Sequence, residues 1–79
     1  MKKSYIITYN LKKLKPSKRV LFVYLLKGRN KEKGIVKELK GEFLANGCFI
    51  INESNFSEIK LIFKKWEVRF KQKEVYLTH

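Results

Sequence analysis

In "NFSEIKLIFKKW", Phe56, Ile59, Phe63 and Trp66 recur at spacings of three, four and three, with Ile62 beside them. That period lines one helix face with apolar side chains and leaves Lys60, Lys64 and Lys65 on the other. A stripe this wide must be buried, and the rest of the chain supplies strands to bury it against, which points to an α+β fold. "SYIITYNL" alternates Tyr5, Ile7, Tyr9 and Leu11 against Ile6, Thr8 and Asn10, the pattern of a strand with one core face. "EFLANGCFII" carries Asn46-Gly47 between apolar runs, which predicts a hairpin whose two turn residues both take positive φ. "EVRFKQKEVYL" has Val68 and Phe70 on one parity and Val75 and Leu77 on the other, which predicts a strand with a bulge or bend near Gln72-Lys73. Asn55 and Glu58 stand at the offset of a capping box for the helix.

The segment "NLKKLKPSKRVLFVYLL" is read as a basic loop followed by a buried strand. Pro16 disfavours the α region at Lys15 and removes a backbone donor, so residues 12–19 are expected to form a loop. Val20 to Leu26 is short for a capped helix and too apolar for an exposed strand, which predicts a central strand covered on both faces. A short helix is expected from Asn30 as cap, with Ile35, Val36 and Leu39 as its stripe and Gly41 as a left-handed stop. Gly34 weakens that helix by about 1 kcal/mol relative to Ala. The order is then β-β-α-β-β-α-β in a single domain spanning residues 1–79, with 1–4 and 78–79 frayed. From residue 20 onward it is βαββαβ, the ferredoxin-like or split-βαβ order, with an extra N-terminal strand. A conflict follows, because in that order the strand at 20–26 is central and has no free edge for residues 5–11.

Charge narrows the class of function. The chain has 19 Lys and Arg against 7 acids, a net charge of +12 and a pI near 10.0. Thirteen of the basic residues and only two glutamates fall in the first forty positions; the remainder is nearly balanced, with six and five. So one-sided a field repels itself unless an external polyanion neutralises it, and nucleic acid is the expected partner. The bland alternative, a lysine-rich solvated surface, would spread lysines over both halves.

Other classes are expected to be absent. No apolar run approaches the roughly 20 residues needed to span a bilayer, and no secretory signal pattern opens the chain, so a cytoplasmic protein without a membrane partner is expected. Cys48 has no second cysteine to pair with and reads as a small core hydrophobe. Soft-ligand metal binding is limited to Cys48 and His79, too few for a zinc site. There is no aspartate, the glutamates lie singly, and four scattered glycines form neither a P-loop nor a dinucleotide fingerprint. The expectation is a non-enzymatic protein without a cofactor.

The residues expected to contact nucleic acid are Lys12, Lys13, Lys15, Lys18 and Arg19 at one end of the 20–26 strand, and Lys27, Arg29 and Lys31, joined by Lys2 and Lys3, at the other. Seven strand residues put the groups on the order of 20–25 Å apart, a span that suits two backbone tracks of a folded RNA. Phe22 and Tyr24 lie between them as candidates for base stacking if their face is open, and as core if a helix covers it. "LFVYLL", residues 21–26, resembles the first-strand signature of the RNA-recognition motif, and "NGCFII" is distantly similar to the third-strand signature over residues 47–51. That resemblance implies a sheet face that stacks bases through Phe22, with Cys48 or Ile50 where the second segment would carry an aromatic. Lysine outnumbers arginine sixteen to three, which favours phosphate-led binding over guanine reading. RNA, ribosomal or otherwise structured, is preferred to DNA. A DNA-binding chromosomal or regulatory protein is one alternative. Another is a non-catalytic interaction subunit that docks on an acidic protein or dimerises through a strand edge.

Overall fold

The period-two segment at the start and the period-3.6 segment near the end both form the elements they encode. The computed structural model describes residues 2–29 and 32–77. Its elements are β1 (Lys2–Tyr9), α1 (Pro16–Lys27), α2 (Ile35–Glu38), β2 (Glu42–Ala45), β3 (Cys48–Asn52), α3 (Phe56–Lys65) and β4 (Phe70–Leu77), with a single 3₁₀ turn, Glu53–Asn55, before α3. The strands form one antiparallel sheet in the order β2-β3-β1-β4. Lys2 to Ser4, expected to fray, are paired in β1.

Residues 20–26 are helical, which corrects the strand expected there. Pro16 occupies the first turn of α1, where its missing N–H would be unsatisfied in any case, and Lys15 is extended (φ −62°, ψ 147°) as a residue before proline prefers. The proline therefore starts a helix instead of marking a loop. The helical period sorts the apolar run: Phe22 and Leu26 are fully buried, while Val20, Leu21 and Tyr24 stay exposed. The expectation failed because it required every residue of the run to be inside. With no strand there, the edge conflict disappears, and β1 itself lies between β3 and β4.

The core lies between one sheet face and the helices. Ile7 of β1 and Phe49 and Ile51 of β3 meet Phe22 and Leu26 of α1, Val36 of α2, and Phe56, Ile59 and Phe63 of α3. Phe63 is the hub, with its ring centroid 5.1 Å from Phe70, 5.2 Å from Phe22, 5.5 Å from Tyr9 and 6.2 Å from Phe49. Most of these contacts are edge-on, the arrangement ring quadrupoles favour. Tyr9 is half-buried among them, and burial raises the pKa of its phenol. Tyr5 stacks on Phe56 at 4.1 Å where α3 begins.

Several local expectations are corrected. The hairpin forms at Asn46-Gly47, but only Gly47 takes a positive φ (75°), and a register shift between Phe43 and Ala45 absorbs the difference. β4 pairs with β1 in eight consecutive positions, from Lys2↔Leu77 to Tyr9↔Phe70, without the bulge expected at Gln72-Lys73. The parity switch has another cause: Phe70 pairs with Tyr9 on the helix-covered face, whereas Val75 and Leu77 pair with Ser4 and Lys2 on the opposite one. Asn55 makes no cap bond; its Nδ2 donates to the Leu39 carbonyl at 2.8 Å and ties the start of α3 to the end of α2. Asn30 lies outside the described residues, and the short helix is the single turn Ile35–Glu38. Lys40 (φ 62°), not Gly41, takes the left-handed conformation after it. Gly34 precedes α2 instead of weakening it, with φ 76° and its backbone against Gly28 (φ 87°). A Cβ on Gly34 would stand 2.3 Å from the Gly28 nitrogen, so neither position accommodates a side chain.

Candidate nucleic-acid interface

The turn from β1 into α1 is rich in cations yet held by specific bonds. Asn10 Oδ1 accepts from the Lys12 N–H at 2.8 Å, a local turn of the kind asparagine favours. The Leu14 N–H donates to the Leu11 carbonyl at 3.0 Å, and both leucines pack on the core. Arg19, one turn into α1, reaches back: Nε donates to the Leu14 carbonyl at 2.8 Å and Nη2 to the Lys12 carbonyl at 3.0 Å. With leucines inward and carbonyls tied to Arg19, the side chains of Lys12, Lys13 and Lys15 are left exposed, with Lys18 beside them. Arg19, expected as a phosphate contact, spends two of its donors as a clamp on the loop.

Lys65 joins this group. It lines one surface depression with Lys18, Leu21, Trp66 and Glu67, because the first half of α1 lies beside the end of α3. In the sequence Lys65 is one more lysine on the polar face of a helix; only the helix packing reveals its neighbours. Phe22, against both Trp66 (5.3 Å) and Phe63, is the visible anchor of that packing.

The second cationic group is smaller than expected. Lys27 Nζ lies 3.5 Å from Asn46 Oδ1 and 5.3 Å from the Phe43 ring, and the Arg29 guanidinium lies 5.0 Å from the Tyr24 ring. Lys31 falls outside the described residues. Lys2 and Lys3 do not join Lys27. They pair with Leu77 and Tyr76, whereas Lys27 reaches the Asn46-Gly47 turn, where the Tyr9 N–H bonds the Gly47 carbonyl at 2.9 Å. Lys3 is also committed: it pairs with Glu74, whose hydrogen bond raises the pKa of the ammonium. That is the only ion pair among the described residues. The groups flanking α1 are thus separated by a twelve-residue helix, about 18 Å long at 1.5 Å per residue.

The two stacking candidates part company. Phe22 is fully buried among Tyr9, Phe63 and Trp66 and is core. Tyr24 is 39% exposed, with Arg29 over its ring. Helical geometry separates residues that a strand would have placed on one face. The first-strand resemblance at 21–26 therefore falls on a helix. On the sheet face away from the helices, β1 and β3 present Ile6 opposite Ile50 and Thr8 opposite Cys48, with no aromatic at these four positions. Cys48 is a half-buried free thiol whose sulfur lies 3.9 Å from Thr8 Oγ1, on that face and outside the core where it was expected.

Among the described residues no helix is long and apolar enough to cross a membrane, and no three His, Cys or Glu side chains converge. No protein-family model, curated protein or solved structure matches the chain.

The clamp makes a prediction. Arg19→Lys keeps the charge but cannot donate to two carbonyls at once in a fixed fork, so it is expected to lower stability by about 1 kcal/mol. Because the guanidinium is spent on the loop, nucleic-acid affinity should fall severalfold while its salt dependence stays unchanged. Urea melts and binding titrations of that variant measure both quantities.

Proposed function

We propose that this chain is a small, non-catalytic protein that binds structured RNA through phosphate contacts with little sequence preference. One observation carries the reading: Lys12, Lys13 and Lys15 sit exposed on a loop pinned by Arg19 and Asn10, with Lys18 beside them in the first turn of α1, and no carboxylate among the described residues is in ion-pair contact with them. A basic tail meant only for solubility has no need of a tied backbone. Holding the loop in place reduces the ordering entropy lost when a polyanion docks. Lys65 beside the loop, and Lys27 and Arg29 at the far end of α1, extend the cationic surface along the helix. The span of about 18 Å suits two backbone tracks of a folded RNA, and flexible lysines suit phosphates better than base edges.

The strand order β2-β3-β1-β4 under helices on one face fits the ferredoxin-like, split-βαβ arrangement, with β1 as its first strand. The aliphatic and small side chains at the centre of the open face favour backbone contacts over base stacking there. Tyr24 is the one remaining stacking candidate, on the outer face of α1. A cytoplasmic site of action goes with this reading.

Filter binding to a structured RNA across a salt series tests it. Six cations (Lys12, Lys13, Lys15, Lys18, Lys27 and Lys65) releasing counterions predict that log K falls against log salt with a slope of about −4 to −5. A slope near zero overturns the proposal. Competition with duplex DNA at equal salt separates RNA from DNA as the preferred partner.

A further inference from the structure

A second surface has a different composition from the basic loop. The outer face of α3 and the segment leading into β4 enclose a groove of about 680 Å³. Its apolar lining is Val68 and Phe70, with Leu61 standing exposed beside them. Leu61 is 67% exposed, the largest value among the large apolar side chains described. Its rim is cationic on both banks, with Lys60 and Lys64 on the helix and Arg69 on the opposite strand approach. No carboxylate among the described residues lines it. Lys60 also lies 5.6 Å from the Phe56 ring, so its stem covers apolar surface while its ammonium stays at the rim.

The fold does not require this leucine to be exposed. α3 already buries Phe56, Ile59 and Phe63 on its inner face, and Leu61 lies outside that stripe. An exposed apolar knob over a concave floor, flanked by cations and free of anions, selects for an occupant with the complementary pattern. We infer that this groove docks a short acidic segment of a protein partner, anchored by one or two aliphatic side chains on Leu61 and flanked by carboxylates that meet Lys60, Lys64 and Arg69. Nucleic acid fits it less well, since phosphates would meet Lys60, Lys64 and Arg69 but leave the exposed Leu61 side chain uncovered. A bilayer fits less well too, since a concave site with one protruding apolar residue offers little to insert. The spacing of Lys60 and Lys64, one turn apart, suits an amphipathic helix whose glutamates lie three or four positions to either side of its leucine. None of the six lysines proposed to meet RNA lines the groove, although Phe70 pairs with Tyr9 next to their loop.

The test uses a fluorescein-labelled 16-residue peptide of glutamates with leucines spaced at three and four, and a control in which serine replaces each leucine. By fluorescence anisotropy the leucine peptide is expected to bind at least about tenfold tighter than the control, the gain from burying one anchor. Leu61→Asn, at an exposed position that does not threaten the fold, should erase that difference and leave affinity for an RNA hairpin unchanged. Equal binding of the two peptides would reduce the groove to a diffuse charge effect and overturn the inference. So would a Leu61→Asn variant that still distinguishes them. If Leu61→Asn instead weakened binding to the RNA hairpin or to phosphatidylserine vesicles, the groove would belong to that ligand and the acidic-segment assignment would fall. A protein that bound the peptide but no RNA would leave this inference standing and remove the proposed function.

Discussion

Replacing Lys12, Lys13 and Lys15 together by glutamate is expected to abolish RNA binding while the domain stays folded. All three side chains are exposed, and the bonds that hold their loop run through backbone groups, Asn10 and Arg19, none of which the substitutions touch. Each replacement removes a phosphate contact and places a repelling carboxylate where it was. Loss of three contacts should flatten the salt slope by about two to three, and affinity near 0.1 M salt should fall by at least about a hundredfold. Circular dichroism and a urea melt matching the parent, with the RNA titration flat, is the expected pair of results. Unchanged affinity in this variant would place the interface elsewhere on the surface.

Phe63→Ala is expected to destabilise the fold severely while leaving a weakened cooperative transition. The Phe63 ring is fully buried and contacts the rings of Phe22, Tyr9, Phe49 and Phe70, so it joins α3 to α1 and to three strands at once. Removing a buried phenyl ring costs about 3–5 kcal/mol through lost transfer energy and the cavity left behind. A domain of this length has a total stability of only about 4–12 kcal/mol, so one substitution takes a large share of it. The urea transition should move to far lower denaturant, and the methyl signals shifted by the Phe63 ring should move in the proton NMR spectrum. Leu61→Ala, on the same helix but outside the core, is the matched control and should change stability by about 0.5 kcal/mol or less.

What the chain declared about itself divides along a physical line. α3 was legible because Phe56, Ile59, Phe63 and Trp66 repeat over three turns, long enough for period alone to decide. β1 was legible because Tyr5, Ile7 and Tyr9 alternate without interruption, and the hairpin because Asn-Gly has few other uses. Residues 20–26 read as a strand because a run without polar interruption carries no period. Pro16 followed by Ser17 suits a helix's first turn and a loop equally well, so these two residues do not decide between them. The β4 parity switch was visible, but a change of face looks like a bulge until the partner strand is known.

The candidate site divides in the same manner. The cations at 12, 13, 15 and 18 were found from charge density, which needs no fold. Phe22 and Tyr24 were placed on one face by the wrong period, and the helix sends one into the core and the other out. Arg19 could not be told from its basic neighbours, since its role depends on two carbonyls within reach only after the chain turns back. Lys65 and the Leu61 groove required tertiary packing, because each is defined by an element distant in sequence.

The pairing of Lys2 with Leu77 places β1 beside β4, the strand farthest from it along the described residues. β1 is interior to the sheet, so during translation it has no hydrogen-bonding neighbour on its β4 side until the distal segment leaves the ribosome. Closing so long a loop delays assembly to a late, concerted step. Nascent intermediates will therefore display an unsatisfied strand margin, and clipping residues 70–77 should expose it permanently.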